Sequence, residues 1–127
     1  MREGRDLAIL AIGQTVWPAM EAAERLSERN VEAMVANMRF VKPFDARVAE
    51  MAAKTGFVLA AEDNSLIGGL YGAVCEQICA LKTDKPIRVK GLGLGDAPVL
   101  HANQSQQRTL MNLDSAGIFK AALELLQ

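Results

Sequence analysis

The sequence contains few of the residues that commonly build reactive or cross-linked sites. Its 127 residues include two cysteines and one histidine, and aromatic residues make up 5% of the chain. Two cysteines are too few for a secreted disulfide scaffold, and a single histidine beside them cannot complete a tetrahedral zinc site. Scattered aromatic residues also argue against a platform on which nucleic-acid bases stack.

An excess of one charge and a long apolar run are absent as well. Fourteen basic and fifteen acidic residues give a formal net charge of -1, without the basic stripe typical of a nucleic-acid binder. No apolar stretch approaches the ~18 residues of a membrane span. Residues 1–6 are too charged for the start of a signal peptide. We therefore expect a cytoplasmic protein that binds neither nucleic acid nor a membrane.

Short apolar runs alternate with helical patterns along the whole chain. The runs predict strands at 6–12, 31–37, 57–61 and 87–92. The periodicity predicts helices at 18–29, between Asp45 and Gly56 with Val48, Met51 and Ala52 buried, from Leu70 to Leu81, at 105–111 and at 116–126. This alternation is typical of right-handed parallel crossovers. The sequence predicts one α/β domain over residues 1–127, a three-layer α/β/α sandwich around a mostly parallel sheet of four to five strands.

Glycines follow the third predicted strand, where a ligand site is expected. In open α/β sheets, ligands bind outside the carboxyl ends of the strands. Glu62 and Asn64 lie in this segment, and Gly68 and Gly69 precede a helix. The N–H groups at a helix start attract anions, so the glycines either receive an anion or let the helix pack closely. Both interpretations stay open at this stage.

Arg39 and Lys42 are the only basic pair in a loop at the same edge. They are suited to hold a carboxylate or phosphate, or to pair with acids on a neighbouring domain. Glu62 ends an apolar strand. It is either a general base or an acidic side chain that only orders the following loop. The candidate anion-binding or interface residues are Arg39, Lys42, Glu62, Asn64, Gly68 and Gly69. We identify no catalytic, cofactor-binding or metal-binding set.

Three segments together resemble one enzyme family. VANMRFVKPFD at 35–45, LAAEDNSLIGGLYGAV at 59–74 and NLDSAGI at 112–118 are similar to the carboxyl-terminal domain of transketolase-type thiamine-diphosphate enzymes. Within that group they are closest to 1-deoxy-D-xylulose-5-phosphate synthase. The resemblance covers nearly the whole chain, in the family's order and spacing.

The resemblance implies a domain that makes no product alone. In such enzymes the cofactor lies between a pyrophosphate-binding and a pyrimidine-binding domain, whose GDG…N motif and activating glutamate we do not find here. Thiamine diphosphate and Mg²⁺ then belong to the complete enzyme. The expected partners are those two domains, in the same or a separate chain, within a homo-oligomer. The alternatives are the same domain of a 2-oxoacid dehydrogenase beta subunit, or a free-standing small-anion-binding module.

The sequence departs from the family pattern at two places. A glycine-rich stretch at 91–98 replaces the family's GLPD-like turn, which predicts a more mobile loop. Tyr71 stands where a small residue is usual, which favours packing over anion binding. Residues 1–4 resemble the tail of an antiparallel edge strand, so the chain looks cut at a domain boundary or like one half of a split enzyme.

Overall fold

Strands and helices alternate in the computed structural model, which describes all 127 residues. A 3-10 turn at Gly13–Thr15 joins the first strand to the first helix. The elements in chain order are β1 (Leu7–Ala11), α1 (Val16–Ser27), β2 (Ala33–Asn37), α2 (Ala46–Thr55), β3 (Phe57–Ser65), α3 (Leu70–Ala80), β4 (Arg88–Leu94), α4 (Gln104–Leu110) and α5 (Ser115–Leu125).

The four strands form one parallel sheet in the order β2-β1-β3-β4. An antiparallel bridge between Arg2 and Val35 adds the beginning of a fifth strand beside β2. The expected tail of an edge strand therefore lies at residues 1–4. The prediction of a mostly parallel sheet of four to five strands is confirmed.

Helices cover both faces of the sheet. Leu7 and Ile9 of β1 pack with residues of α1 and α5, whereas Ala8 and Leu10 pack with residues of α2 and α3. All five residues of β1 are fully buried, as expected for a central parallel strand whose two faces are covered. This arrangement is the predicted three-layer sandwich. None of the helices has the length and apolarity needed to span a membrane.

The glycine-rich stretch after the third helix belongs largely to a strand. β4 extends to Leu94, and β3 extends past its predicted end at 61 so that Ser65 pairs with Leu94. A Cβ built on Gly93 would lie 3.1 Å from the carbonyl oxygen of Asn64, and one on Gly91 would lie 2.6 Å from Cγ of Tyr71. These glycines therefore admit close neighbours, and over 91–94 the expectation of a mobile loop is wrong.

Helix α2 follows its predicted ends, and of its predicted buried face Ala52 is buried, Val48 is half-buried against the core and Met51 is exposed. The Asp45 carboxylate accepts a hydrogen bond from the Arg47 backbone N–H, and Gly56 ends the helix in the left-handed conformation, with φ 77°. Ala49 and Ala52 are buried, while Met51 is 45% exposed. The prediction that Met51 is buried is wrong because the narrow alanine stripe, not the larger side chain, faces the sheet.

Candidate functional site

The loops after the four parallel strands meet at one side of the sheet, which we call the carboxyl edge. It comprises residues 12–15, 38–45, 66–69 and 95–103. Strand order reverses between β1 and β3, because β2 and β3 flank β1 on opposite sides. This reversal is where ligands gather in open α/β sheets. The six candidate residues lie in these loops or in the last residues of β3.

The carboxylate of Glu62 lies against the start of α3. Glu62 is 2% exposed, and its Oε1 accepts a hydrogen bond from the Tyr71 backbone N–H at 3.1 Å. Tyr71 is the second residue of α3, so its N–H is one of those that the helix cannot satisfy internally. The protein's own carboxylate therefore lies where an external anion would approach this helix.

Gly69 allows this close approach. A Cβ built on Gly69 would overlap the Glu62 carboxylate and the carbonyl oxygen of Ser65. Gly68 has a different role, since its φ of 79° is in the left-handed region and its missing Cβ would meet open space. One glycine makes the turn and the other admits the carboxylate. Within the domain, this geometry supports the packing interpretation of the pair.

Lys42 and the two glycines line the same groove, between the loop after β2 and the start of α3. We call it the α3 groove. Its volume is about 370 Å³, and Lys42 lies across it from Gly68 and Gly69. Its full lining is Val41, Lys42, Phe44, Gly68, Gly69, Gly72, Ala73, Glu76 and Gln77.

The other candidate residues do not line the α3 groove. Arg39 lines a separate depression with Met1 and Phe40. Asn64 is exposed, and its Oδ1 accepts a hydrogen bond from the Ser65 backbone N–H at 2.9 Å. Arg39 and Lys42 thus line different depressions, and neither depression contains both basic side chains. A role for the six candidates in binding an anion or a partner stays a prediction.

A smaller cavity of about 180 Å³ lies at the reversal point between β1 and β3. Helix α4 covers it, and its polar lining consists of Gln14, Asp63, Gln104, Gln107 and Arg108. Fully buried Thr15 lies nearby, with its hydroxyl 2.8 Å from the carbonyl oxygens of Ile12 and Ala61. Sequence reasoning missed this cavity because periodicity did not show where α4 packs; the polar residues after β1 and β3 were the available signal.

Potentially reactive side chains are dispersed. His101 is exposed, and Cys75 and Cys79 are free thiols. Interaction with the Cys75 thiol one helical turn away raises the pKa of the Tyr71 hydroxyl, and burial adds to the effect. No three His, Cys, Asp or Glu side chains are grouped to hold a metal ion.

Comparisons with known proteins agree on one family. The family model described as "Transketolase, C-terminal domain" matches residues 1–118. The chain is 44% identical over 122 residues to 1-deoxy-D-xylulose-5-phosphate synthase 1 of Geobacter sulfurreducens, covering 95% of this chain and 19% of that protein. It is 35% identical to one of the subunits of an apulose-4-phosphate transketolase from Phocaeicola vulgatus, covering 98% of this chain and 39% of that polypeptide.

A solved structure shows the same fold. The chain superposes on a split-gene transketolase, described as an inactive beta4 tetramer, with a TM-score of 0.86 and 33% identity. The match covers 98% of this chain and 40% of that one. The chain therefore spans about a fifth of the synthase relatives and two-fifths of the two transketolase polypeptides.

Proposed function

Since the chain belongs to the family of transketolase C-terminal domains, we propose that it is the non-catalytic third domain of a thiamine-diphosphate-dependent transferase. The type is 1-deoxy-D-xylulose-5-phosphate synthase or transketolase. One observation carries the proposal: the 44% identity with a synthase covers 95% of this chain but only 19% of the synthase. The chain corresponds to one module of a larger enzyme.

The cofactor chemistry belongs to the other domains in this proposal. In the complete enzyme, thiamine diphosphate with Mg²⁺ supplies the chemistry that moves a two-carbon unit or an acyl anion equivalent from a keto substrate to an aldehyde. The proposal assigns no chemical step to the side chains of this domain. Its role is to pack against the pyrimidine- and pyrophosphate-binding domains and to support a homo-oligomer.

The geometry at Glu62 disfavours the anion-binding module. One of the N–H groups that could receive a small anion at the start of α3, that of Tyr71, already donates to Glu62. The carboxylate also repels a second negative charge at that place. The 2-oxoacid dehydrogenase alternative is less supported as well, since the relatives described above are a synthase and transketolases.

The test is a calorimetric titration with thiamine diphosphate and Mg²⁺, performed on the isolated chain and on its mixture with the polypeptide encoded immediately upstream. We expect no binding by the chain alone, and binding with transferase activity in the mixture. Tight binding by the isolated chain that Arg39→Ala abolishes would contradict the proposal and support the small-anion module. A matched Arg5→Ala variant removes a similarly exposed charge that lines neither depression.

A further inference from the structure

Helix α4 lies over the cavity at the reversal between β1 and β3, which we call the α4 cavity, and contributes no side chain to the core. None of its seven residues is buried, whereas each of the other four helices buries at least two. Gln104, Gln107 and Arg108 of α4 line the cavity instead, and so does Met111 at the end of the helix. So short a helix is marginal without tertiary packing. An occupant of the cavity supplies the packing that α4 lacks.

The α4 cavity contains one charged side chain of each sign. Asp63 near the end of β3 and Arg108 in the last turn of α4 both line it. The Asp63 carboxylate lies against the turn after β1, since a Cβ built on Gly13 would be 2.8 Å from its Oδ1. None of the five salt bridges of the structure includes Asp63 or Arg108. The cavity therefore offers an unpaired carboxylate and an unpaired guanidinium to the same occupant.

Apolar side chains form the other part of the lining. They are Leu94, Val99, Met111 and Leu113. Leu113 is 2% exposed, so it belongs to the inner wall of the cavity. The side-chain amide of Gln107 donates a hydrogen bond of 3.2 Å to the Leu100 carbonyl oxygen, which ties the loop after β4 to α4 beside the cavity. An occupant thus meets two opposite charges and an apolar wall.

The volume of the α4 cavity limits the size of the occupant. An engineered protein cavity of about 150 Å³ holds a benzene molecule. The α4 cavity, at about 180 Å³, therefore admits a molecule of roughly six to nine non-hydrogen atoms. Nucleotides, sugar phosphates and thiamine diphosphate are too large. Small aliphatic α-amino acids, from alanine to leucine, have the required size.

We propose that the α4 cavity binds a free aliphatic α-amino acid as its zwitterion, with valine and leucine as the preferred ligands. The ammonium group pairs with the Asp63 carboxylate, and the carboxylate accepts paired hydrogen bonds from the Arg108 guanidinium. The aliphatic side chain packs against Val99, Met111 and Leu113. A 2-oxoacid of the same skeleton lacks the ammonium group and is repelled by Asp63, and the corresponding amine lacks the carboxylate and is repelled by Arg108. This site is separate from the proposed packing role and requires no other domain.

The test is a titration of the ¹⁵N-labelled chain with L-valine and L-leucine, followed by amide chemical shifts. The 2-oxoacid and the amine of the valine skeleton serve as ligand controls. We expect saturable shifts around the cavity with a Kd on the order of 0.1–1 mM. Asp63→Asn and Arg108→Gln should each raise Kd about 10-fold or more. Asp84→Asn and Arg5→Gln remove matched charges that do not line the cavity and should leave Kd within about 2-fold.

Amide hydrogen exchange gives a second readout on the same samples. Because the ligand packs beneath α4, bound valine should slow exchange of the α4 amides. Far-UV circular dichroism checks that each variant is folded. The proposal would be overturned by a lack of saturable shifts at amino-acid concentrations about 10-fold above the expected Kd. Equal affinity for the 2-oxoacid or the amine, binding that Asp63→Asn and Arg108→Gln leave intact, or unchanged exchange in α4 would each overturn it as well.

Discussion

Replacing either Gly69 or Gly72 with alanine tests how the glycines of α3 are used. Both changes add one methyl group within the same four residues of chain. At Gly69 the new Cβ overlaps the Glu62 carboxylate and the Ser65 carbonyl oxygen, whereas at Gly72 it meets no atom within 4 Å. We expect Gly69→Ala to lower the free energy of unfolding and Gly72→Ala to raise it.

The structure sets the size of the two effects. Overpacking at Gly69 costs about 1–3 kcal/mol, and displacing Glu62 also removes a charge-assisted hydrogen bond worth about 1.5–3 kcal/mol. The reduced freedom of the unfolded chain returns about 0.4–1 kcal/mol. A net loss of about 1.5–5.5 kcal/mol corresponds to a fall in Tm of about 6–20 °C in a domain of this length. Gly72→Ala should gain about 0.5–1 kcal/mol.

Urea unfolding followed by far-UV circular dichroism measures both effects on the isolated chain. A cycle with Glu62→Ala adds a check of the cause, because truncation removes the side-chain atoms that the new Cβ would overlap, and the two changes are then not additive. Equal stability of the Gly69→Ala and Gly72→Ala chains would refute the reasoning. Strict additivity with Glu62→Ala would show that the Gly69 effect does not act through the Glu62 side chain.

Three further substitutions test contacts elsewhere. The hydrogen bond from Lys90 lowers the pKa of Glu124 below its ordinary value of 4.5, so the pair stabilises the fold above that pH and the stabilisation is lost as pH falls through the lowered pKa. Lys90→Met should therefore be less stable near pH 7, with the difference closing as the pH falls below the lowered pKa in urea unfolding. Asp114→Ala removes the acceptor of the Gly117 N–H at 2.8 Å and should cost about 1–2 kcal/mol by the same assay. Thr15→Val removes the buried hydroxyl that donates to the carbonyl oxygens of Ile12 and Ala61. It should lower the free energy of unfolding by about 1–2 kcal/mol in the same urea assay.

The order and type of the main elements follow from local patterns. Continuous apolar runs indicated strands buried on both faces, and β1 is fully buried along its length. Asp45 and Gly56 indicated both ends of α2 because capping depends on neighbouring residues. The end of β3 was predicted too early, since the pairing of Ser65 with Leu94 depends on a strand that is distant in sequence.

The candidate site was only partly predictable. The glycine pair indicated a turn into a helix, and Glu62 indicated an acid at the end of a strand. The sequence did not show that the acid reaches the helix start, because that contact spans nine residues and a strand extension. Arg39 and Lys42 looked like one basic pair, but the fold assigns them to different depressions.

The sequence by itself determined the α/β class, the buried strands and the family resemblance, because these depend on periodicity and short motifs. Only the tertiary structure decided what fills the start of α3 and which loops meet at the carboxyl edge. Tyr71, which stands where the family usually has a small residue, packs over Gly91 of the last strand. Phe40 and Ile67 belong to loops 27 residues apart in sequence. Parallel crossovers place both loops at the same edge, and no local pattern contains that information.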